Sequence, residues 1–102
     1  MSDLRATCVS IAEELEGYYE NEDFDAIQDY LSEVLDVEIT TNLRHEYLGA
    51  TICVTLGGPN IYINTRYNKI EGYWGGEQVE IPIDNDLSGY IYDYYEEAFE
   101  MY

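Results

Sequence analysis

Basic side chains are nearly missing from this sequence: its 102 residues hold four Lys plus Arg and one His against 22 Asp plus Glu, a formal net charge of −18. Few of these carboxylates can find a basic partner within the chain, so folding must accept self-repulsion that relaxes with salt. Free nucleic acid and an anionic membrane surface are disfavoured as ligands, because each would add like-charge repulsion. Cysteine is scarce as well. Cys8 and Cys53 stand far apart with no CxxC and no Cys/His cluster; two buried reduced thiols in a cytosolic protein fit this usage, and spacing alone leaves a disulfide undecided. Long apolar runs are absent, with nothing near the ~20 residues of a membrane span. The opening MSDLRATCVSIAEEL has no basic region followed by an apolar run, so no signal peptide is expected and the default compartment is the cytoplasm. Catalytic motifs are missing too: there is no GxSxG, HExxH or Walker loop. The single histidine, His45, lies in NLRHEY, where strand neighbours would point to opposite faces. Gly57-Gly58 and Gly75-Gly76 precede neither a basic residue nor a helix start, and read as turns rather than phosphate cradles. The expectation is a protein that is not an enzyme and carries no cofactor.

What is present is apolar enough to fold, with 46 % hydrophobic and 15 % aromatic residues in a length that suits one domain. Leu4, Cys8, Ile11, Leu15 and Tyr18 mark one stripe of a helix opened by Ser2 or Asp3. YYENED reads as a turn. Phe24, Ile27, Leu31, Val34 and Leu35 mark a second helix, capped by Asn21 or Asp23, with Asp25, Asp29, Ser32, Glu33 and Asp36 on its other side. The period then falls to two. VEITTNL precedes YLGATICVTL, in which Leu48, Ala50, Ile52, Val54 and Leu56 alternate with Tyr47, Gly49, Thr51, Cys53 and Thr55. GGPN, NK and a second glycine pair separate NIYINTRY, IEGYWG and QVEIPI, and Pro82 suits an edge or a strand end. Leu87, Ile91, Tyr94 or Tyr95, Ala98 and Tyr102 return to helical spacing. The chain therefore predicts an α+β fold: two N-terminal helices, an antiparallel meander of four to five strands, and a C-terminal helix packed on one sheet face.

Two kinds of site compete for the acidic residues. Asp84-Asn85-Asp86-Leu87-Ser88-Gly89 matches the first half of a calcium loop, making Asp84, Asp86 and Ser88 candidate metal ligands. The loop's closing glutamate is absent, since Tyr95 occupies its twelfth position. The plainer expectation is an N-cap for the last helix, with no metal. The other reading concerns rows of like charge. Glu13, Glu16 and Glu20 form one, Asp25, Asp29, Glu33 and Asp36 a second, and Asp93, Glu96, Glu97 and Glu100 a third, each with members three or four apart on a helix. Carboxylates at that spacing lie ~5–6 Å apart and repel by a few tenths of a kcal/mol per pair, so helix stability does not account for them. Regular negative charge is what phosphate-binding arginines and lysines meet on DNA. Twelve tyrosines exceed what one small core needs. Tyr19, Tyr30, Tyr62, Tyr73, Tyr90, Tyr92 and one of Tyr94 and Tyr95 fall outside the apolar stripes; any single ring is expected to flank the core or cover a sheet edge, while together tyrosines, like Trp74, suit an interface hot spot. Adaptation to high salt would explain the acids but not the tyrosines.

The acidic helices and the ending YDYYEEAFEMY resemble the small, acidic counter-defence proteins of phages and mobile elements, namely anti-CRISPR proteins and antirestriction DNA mimics. LGGPNIYINTRYNKIEGYWGG, residues 56–76, also looks like a segment of small phage and mobile-element proteins in Firmicutes. The resemblance implies a non-catalytic inhibitor in an infected bacterial cytoplasm. Its partner would be a basic nucleic-acid-binding protein, a CRISPR effector or a restriction enzyme, with no direct nucleic-acid or membrane ligand. Asp25, Asp29, Glu33, Asp36, Tyr92, Asp93, Glu96, Glu97, Glu100 and Trp74 are the expected contacts. A calcium-binding module, or an acidic regulator of another basic protein, is the alternative, and homodimer formation stays open.

Overall fold

A computed structural model of the chain describes residues 3–101; the possible cap Ser2 and the stripe's last member Tyr102 lie outside them. Helix α1 spans Leu4–Glu20 and buries Leu4, Cys8, Ile11, Ala12 and Leu15; the predicted stripe gains Ala12, and its last member Tyr18 is only half-buried. Asp3 holds the N-cap position through its backbone carbonyl, which accepts the Thr7 N–H and hydroxyl. The helix stops without glycine. Glu22 takes the left-handed conformation, φ 55°, while its N–H bonds the Tyr19 carbonyl at 3.0 Å and the next N–H, Asp23, bonds the Tyr18 carbonyl at 2.8 Å. This is the Schellman pattern with a glutamate where glycine is usual.

Helix α2, Phe24–Ser32, follows at once because the Asp23 carboxylate accepts the Ala26 N–H and caps it. Ile27 and Leu31 are buried. The helix ends sooner than the apolar pattern predicts. Glu33 is its C-cap, the Leu35 N–H bonds the Cys53 carbonyl at 2.9 Å, and Asp36 opens strand β1. Residues from Leu35 onward therefore place their backbone groups against a neighbouring strand instead of completing a further helical turn. Leu35 is left exposed at 58 %.

Five strands, β1 Asp36–Thr41, β2 Tyr47–Thr55, β3 Asn60–Asn64, β4 Lys69–Trp74 and β5 Glu77–Pro82, pair in chain order as an antiparallel meander. Ala50, Ile52, Ile61, Ile63, Ile70 and Val79 face the helices and are buried. Simple alternation fails where the β2–β3 register shifts between Cys53 and Thr55, and at two further places. The β1–β2 register shifts between Thr40 and Thr41, and Tyr47, expected on the outer face, is buried at 9 %. Leu56 lies beyond the end of β2 and is 55 % exposed rather than in the core. The β3–β4 turn spans residues 65–68, where the Asn64 side chain accepts the Arg66 and Tyr67 N–H groups and Asn68 takes a positive φ.

Helix α3, Asn85–Glu100, closes the core with Leu87, Ser88, Ile91 and Tyr95. It lies over β2, and α1 lies over β4 and β5, so the helices form one layer on one sheet face. Among the described residues no helix is long and apolar enough to cross a membrane.

Candidate partner-binding surface

Internal neutralisation is minimal. Among the described residues both ion pairs belong to Lys69, with Glu71 at 4.0 Å and with Glu80. Several of the remaining carboxylates lie exposed along the helices.

Helix α3 carries the most regular of these surfaces. Asp86, Asp93, Glu97 and Glu100 are all exposed. Their spacing returns them to one side of the helix, because seven residues make nearly two turns at 3.6 residues per turn. Glu96 sits at the margin and is half-buried. Three of the four acids expected here thus share the outward stripe. The stripe also includes Asp86, which the sequence had suggested only as a metal ligand.

The second expected row is split. Asp25 and Asp29 lie exposed one turn apart on α2, and Glu33 continues from its C-cap. Asp36 does not belong with them. It is in β1, paired with Cys53, and joins the outer sheet face. The helix ends before reaching it, for the hydrogen-bonding reason given above. The first row, Glu13, Glu16 and Glu20, is intact on α1.

Glu16 leads to a feature that no local pattern reveals. Its carboxylate accepts the backbone N–H of Asp84 at 3.0 Å, joining the last turns of α1 to the start of α3. Around this contact opens a cleft of about 510 Å3. Five carboxylates line it, those of Glu16, Glu20, Glu22, Asp84 and Asp86, together with Tyr19 and Phe24. Among the described residues no lysine, arginine or histidine contributes to its walls. The end of α1 adds its own partial negative charge, and its last turn has no basic residue to offset this.

Two of the calcium candidates, Asp84 and Ser88, have other work. The Asp84 carboxylate accepts the N–H groups of Asp86 and Leu87, both at 3.1 Å, and so caps α3. Ser88 is fully buried and donates to the Asn68 side chain at 2.6 Å. Residues 85–89 are helix rather than a loop, and among the described residues no group of three or more His, Cys, Asp or Glu side chains is arranged to hold a metal ion.

Most of the tyrosine surplus turns inward as well. Tyr90 stacks on Phe24 at 5.1 Å and meets Tyr19 edge-on at 6.2 Å, while its hydroxyl accepts from Gln28. Tyr47 and Tyr92 pack 4.6 Å apart, and each phenol reaches the other's backbone carbonyl, at 2.8 and 3.4 Å. Burial, with the nearby Glu14, pushes the Tyr30 phenol up to about 12; burial with Tyr94 does the same for Tyr95. These rings hold the helices to the sheet and to each other. Tyr92, expected as a partner contact, is half-buried and packs against Tyr47. Trp74 is 48 % exposed at the β4–β5 turn, beside Gly58.

Neither thiol is activated. Burial raises the Cys8 thiol against a small opposing effect of Arg5, and burial with the Asp36 charge raises Cys53. Both are free. His45, at φ 61° in the β1–β2 connection, is exposed. Comparison with protein-family models, curated proteins and solved structures gave no match, so the surface is interpreted from its own residues.

Proposed function

We propose that the protein is a non-catalytic inhibitor that occupies the nucleic-acid-binding surface of a basic protein. One observation carries this reading: Asp86, Asp93, Glu97 and Glu100 form an exposed stripe on one helix, with no ion pair among the described residues to neutralise it. Asp93, Glu97 and Glu100, each about one turn from the next, present negative charge every ~5–6 Å, with Asp86 two turns before them; lysines and arginines that normally neutralise phosphates can bind such a row with counterion release. The cleft between α1 and α3 and the acids of α2 extend the same negative field. Steering by such a field speeds association more than it tightens the final complex.

The resemblance to anti-CRISPR and antirestriction proteins directs the choice of target to a CRISPR effector or a restriction enzyme in the cytoplasm of an infected bacterium. The decisive measurement is inhibition of target-DNA binding by a panel of purified effectors and restriction enzymes. Stoichiometric inhibition by the natural sequence, lost in Asp93→Asn/Glu97→Gln/Glu100→Gln, is the expected result. Inhibition that survives these neutral isosteres, or none by the natural protein across the panel, removes the mimicry reading.

A further inference from the structure

The sheet face turned away from the helices holds a groove of about 330 Å3. Its axis follows a cross-strand row, Asp36, Cys53, Tyr62 and Glu71, in register on β1 to β4. At ~4.8 Å between strands, the two acids stand on opposite banks ~14 Å apart, with the thiol and the ring between them. Glu38 adds a second carboxylate to the β1 bank, and Tyr73 lies beside Glu71 on the other.

The two banks differ in kind. The Glu71 carboxylate is held in place by Asn64, which donates to Oε1 at 3.0 Å, and by the Tyr73 hydroxyl, which donates to Oε2 at 3.0 Å. Lys69 neutralises Glu71 and Glu80, which face each other across β4 and β5 where like charges would otherwise repel. Asp36 and Glu38 have no such arrangement; their side chains make no hydrogen bond or ion pair among the described residues, and they flank the unpaired edge of the sheet. The Tyr62 and Tyr73 rings meet at 6.1 Å and 64°, so that the ring face of one is turned toward the edge of the other.

We propose that this groove takes an arginine side chain presented on an extended segment of a partner protein. Charge decides the occupant's sign: nucleic acid is excluded, and a second copy of this chain would bring a net charge of −18 to the same place. Shape decides between the two basic side chains. A guanidinium is planar, stacks on a tyrosine face and forks toward carboxylates, whereas an ammonium is a strongly hydrated point charge that gains little from the rings. The volume is within the ~300–1,000 Å3 usual for binding clefts. The free edge of β1 gives an extended segment backbone groups to pair with while its arginine reaches over Asp36 and Glu38. This inference does not rest on the mimicry reading, since the groove and the α3 stripe lie on opposite sides of the sheet.

Amide NMR titration of the full chain at physiological salt tests it, using a capped Gly-Gly-Arg-Gly-Gly peptide and its lysine and citrulline counterparts. Expected are saturable shifts centred on Asp36, Glu38, Cys53, Tyr62 and Tyr73, tighter binding of arginine than of lysine, and none of citrulline. Asp36→Asn/Glu38→Gln should weaken arginine binding about ten-fold, a typical scale for removing close charge partners, while Asp93→Asn/Glu97→Gln should leave it unchanged. Tyr62→Leu should abolish the preference for arginine, and the spectrum itself reports whether each variant is folded. Shifts spread over the helices, equal affinity for lysine, or no saturable shift would each overturn the proposal. The DNA-binding inhibition assay on the α3 variants is read separately, so either idea can fail without the other.

Discussion

Gly72 faces Cys8 so closely that a β-carbon added at Gly72 would lie 2.7 Å from the Cys8 Sγ, and 2.9 Å from Leu4 Cδ1. The glycine is thus what lets α1 lie directly on β4. Gly72→Ala should lower stability by about 1–3 kcal/mol, the usual cost of overpacking a core. Cys8→Ala in the same chain should recover part of the loss, because the two changes share one contact. Urea denaturation of the four proteins measures this. An unchanged midpoint for Gly72→Ala would show that the helix can lift without cost.

Glu22 ends α1 in a conformation that costs an L-residue ~1–2 kcal/mol, and it places a negative charge at the negative end of a helix. Glu22→Gly should therefore raise the melting temperature, by about 4–8 °C for each kcal/mol gained in a domain of this size. Glu22→Gln should give the smaller, electrostatic share alone. If Gln matched Gly in thermal melts, backbone strain would contribute nothing at this cap.

Salt should stabilise the protein. With both ion pairs among the described residues confined to Lys69, screening removes far more repulsion than attraction, and the Debye length falls from ~10 Å at 0.1 M to ~3 Å at 1 M. Calorimetry in rising sodium chloride should show an increasing melting temperature, and Asp93→Asn/Glu97→Gln should reduce that increase. A melting temperature that falls with salt would mean attractive pairs dominate.

High pH should unfold it. Tyr30 and Tyr95 hold their protons up to about 12 in the folded state, and burial raises Tyr47 in the same direction, against an ordinary tyrosine value of 10.0. The folded chain then binds more protons than the unfolded one above pH ~10. Stability from these phenols is complete below that pH and is lost as pH rises toward 12 and beyond. Tyrosinate absorbance and far-ultraviolet circular dichroism should change together in that range. Tyrosinate formation that is complete before helix content falls would contradict this linkage.

How much of this was legible in the sequence depends on how local each determinant is. The meander could be read because its turns sit at GGPN and at the Gly75-Gly76 pair between runs of period two. The α3 stripe could be read because Asp93, Glu97 and Glu100 need only the helical period to align. Asp36 was misplaced because Val34, Leu35 and Val37 serve a helix or a strand equally well, and the Leu35–Cys53 hydrogen bond that decides between them joins distant residues. The α1–α3 cleft depends on Glu16 meeting Asp84, which no spacing rule connects. Tyr19 and Tyr90, which lie outside the apolar stripes, pack against each other and against Phe24 across different elements, and no spacing rule links these rings.

The reciprocal bonds between Tyr47 and Tyr92 have a bearing on recognition itself. Each phenol is tied to the other residue's backbone across β2 and α3, so the helix bearing Asp93 and Glu97 can neither roll nor slide without breaking both links. The ordering entropy of that acidic edge is settled during folding. A partner meeting it would not have to supply that entropy again, which favours tight binding by a small surface over the slower capture of a pliable one.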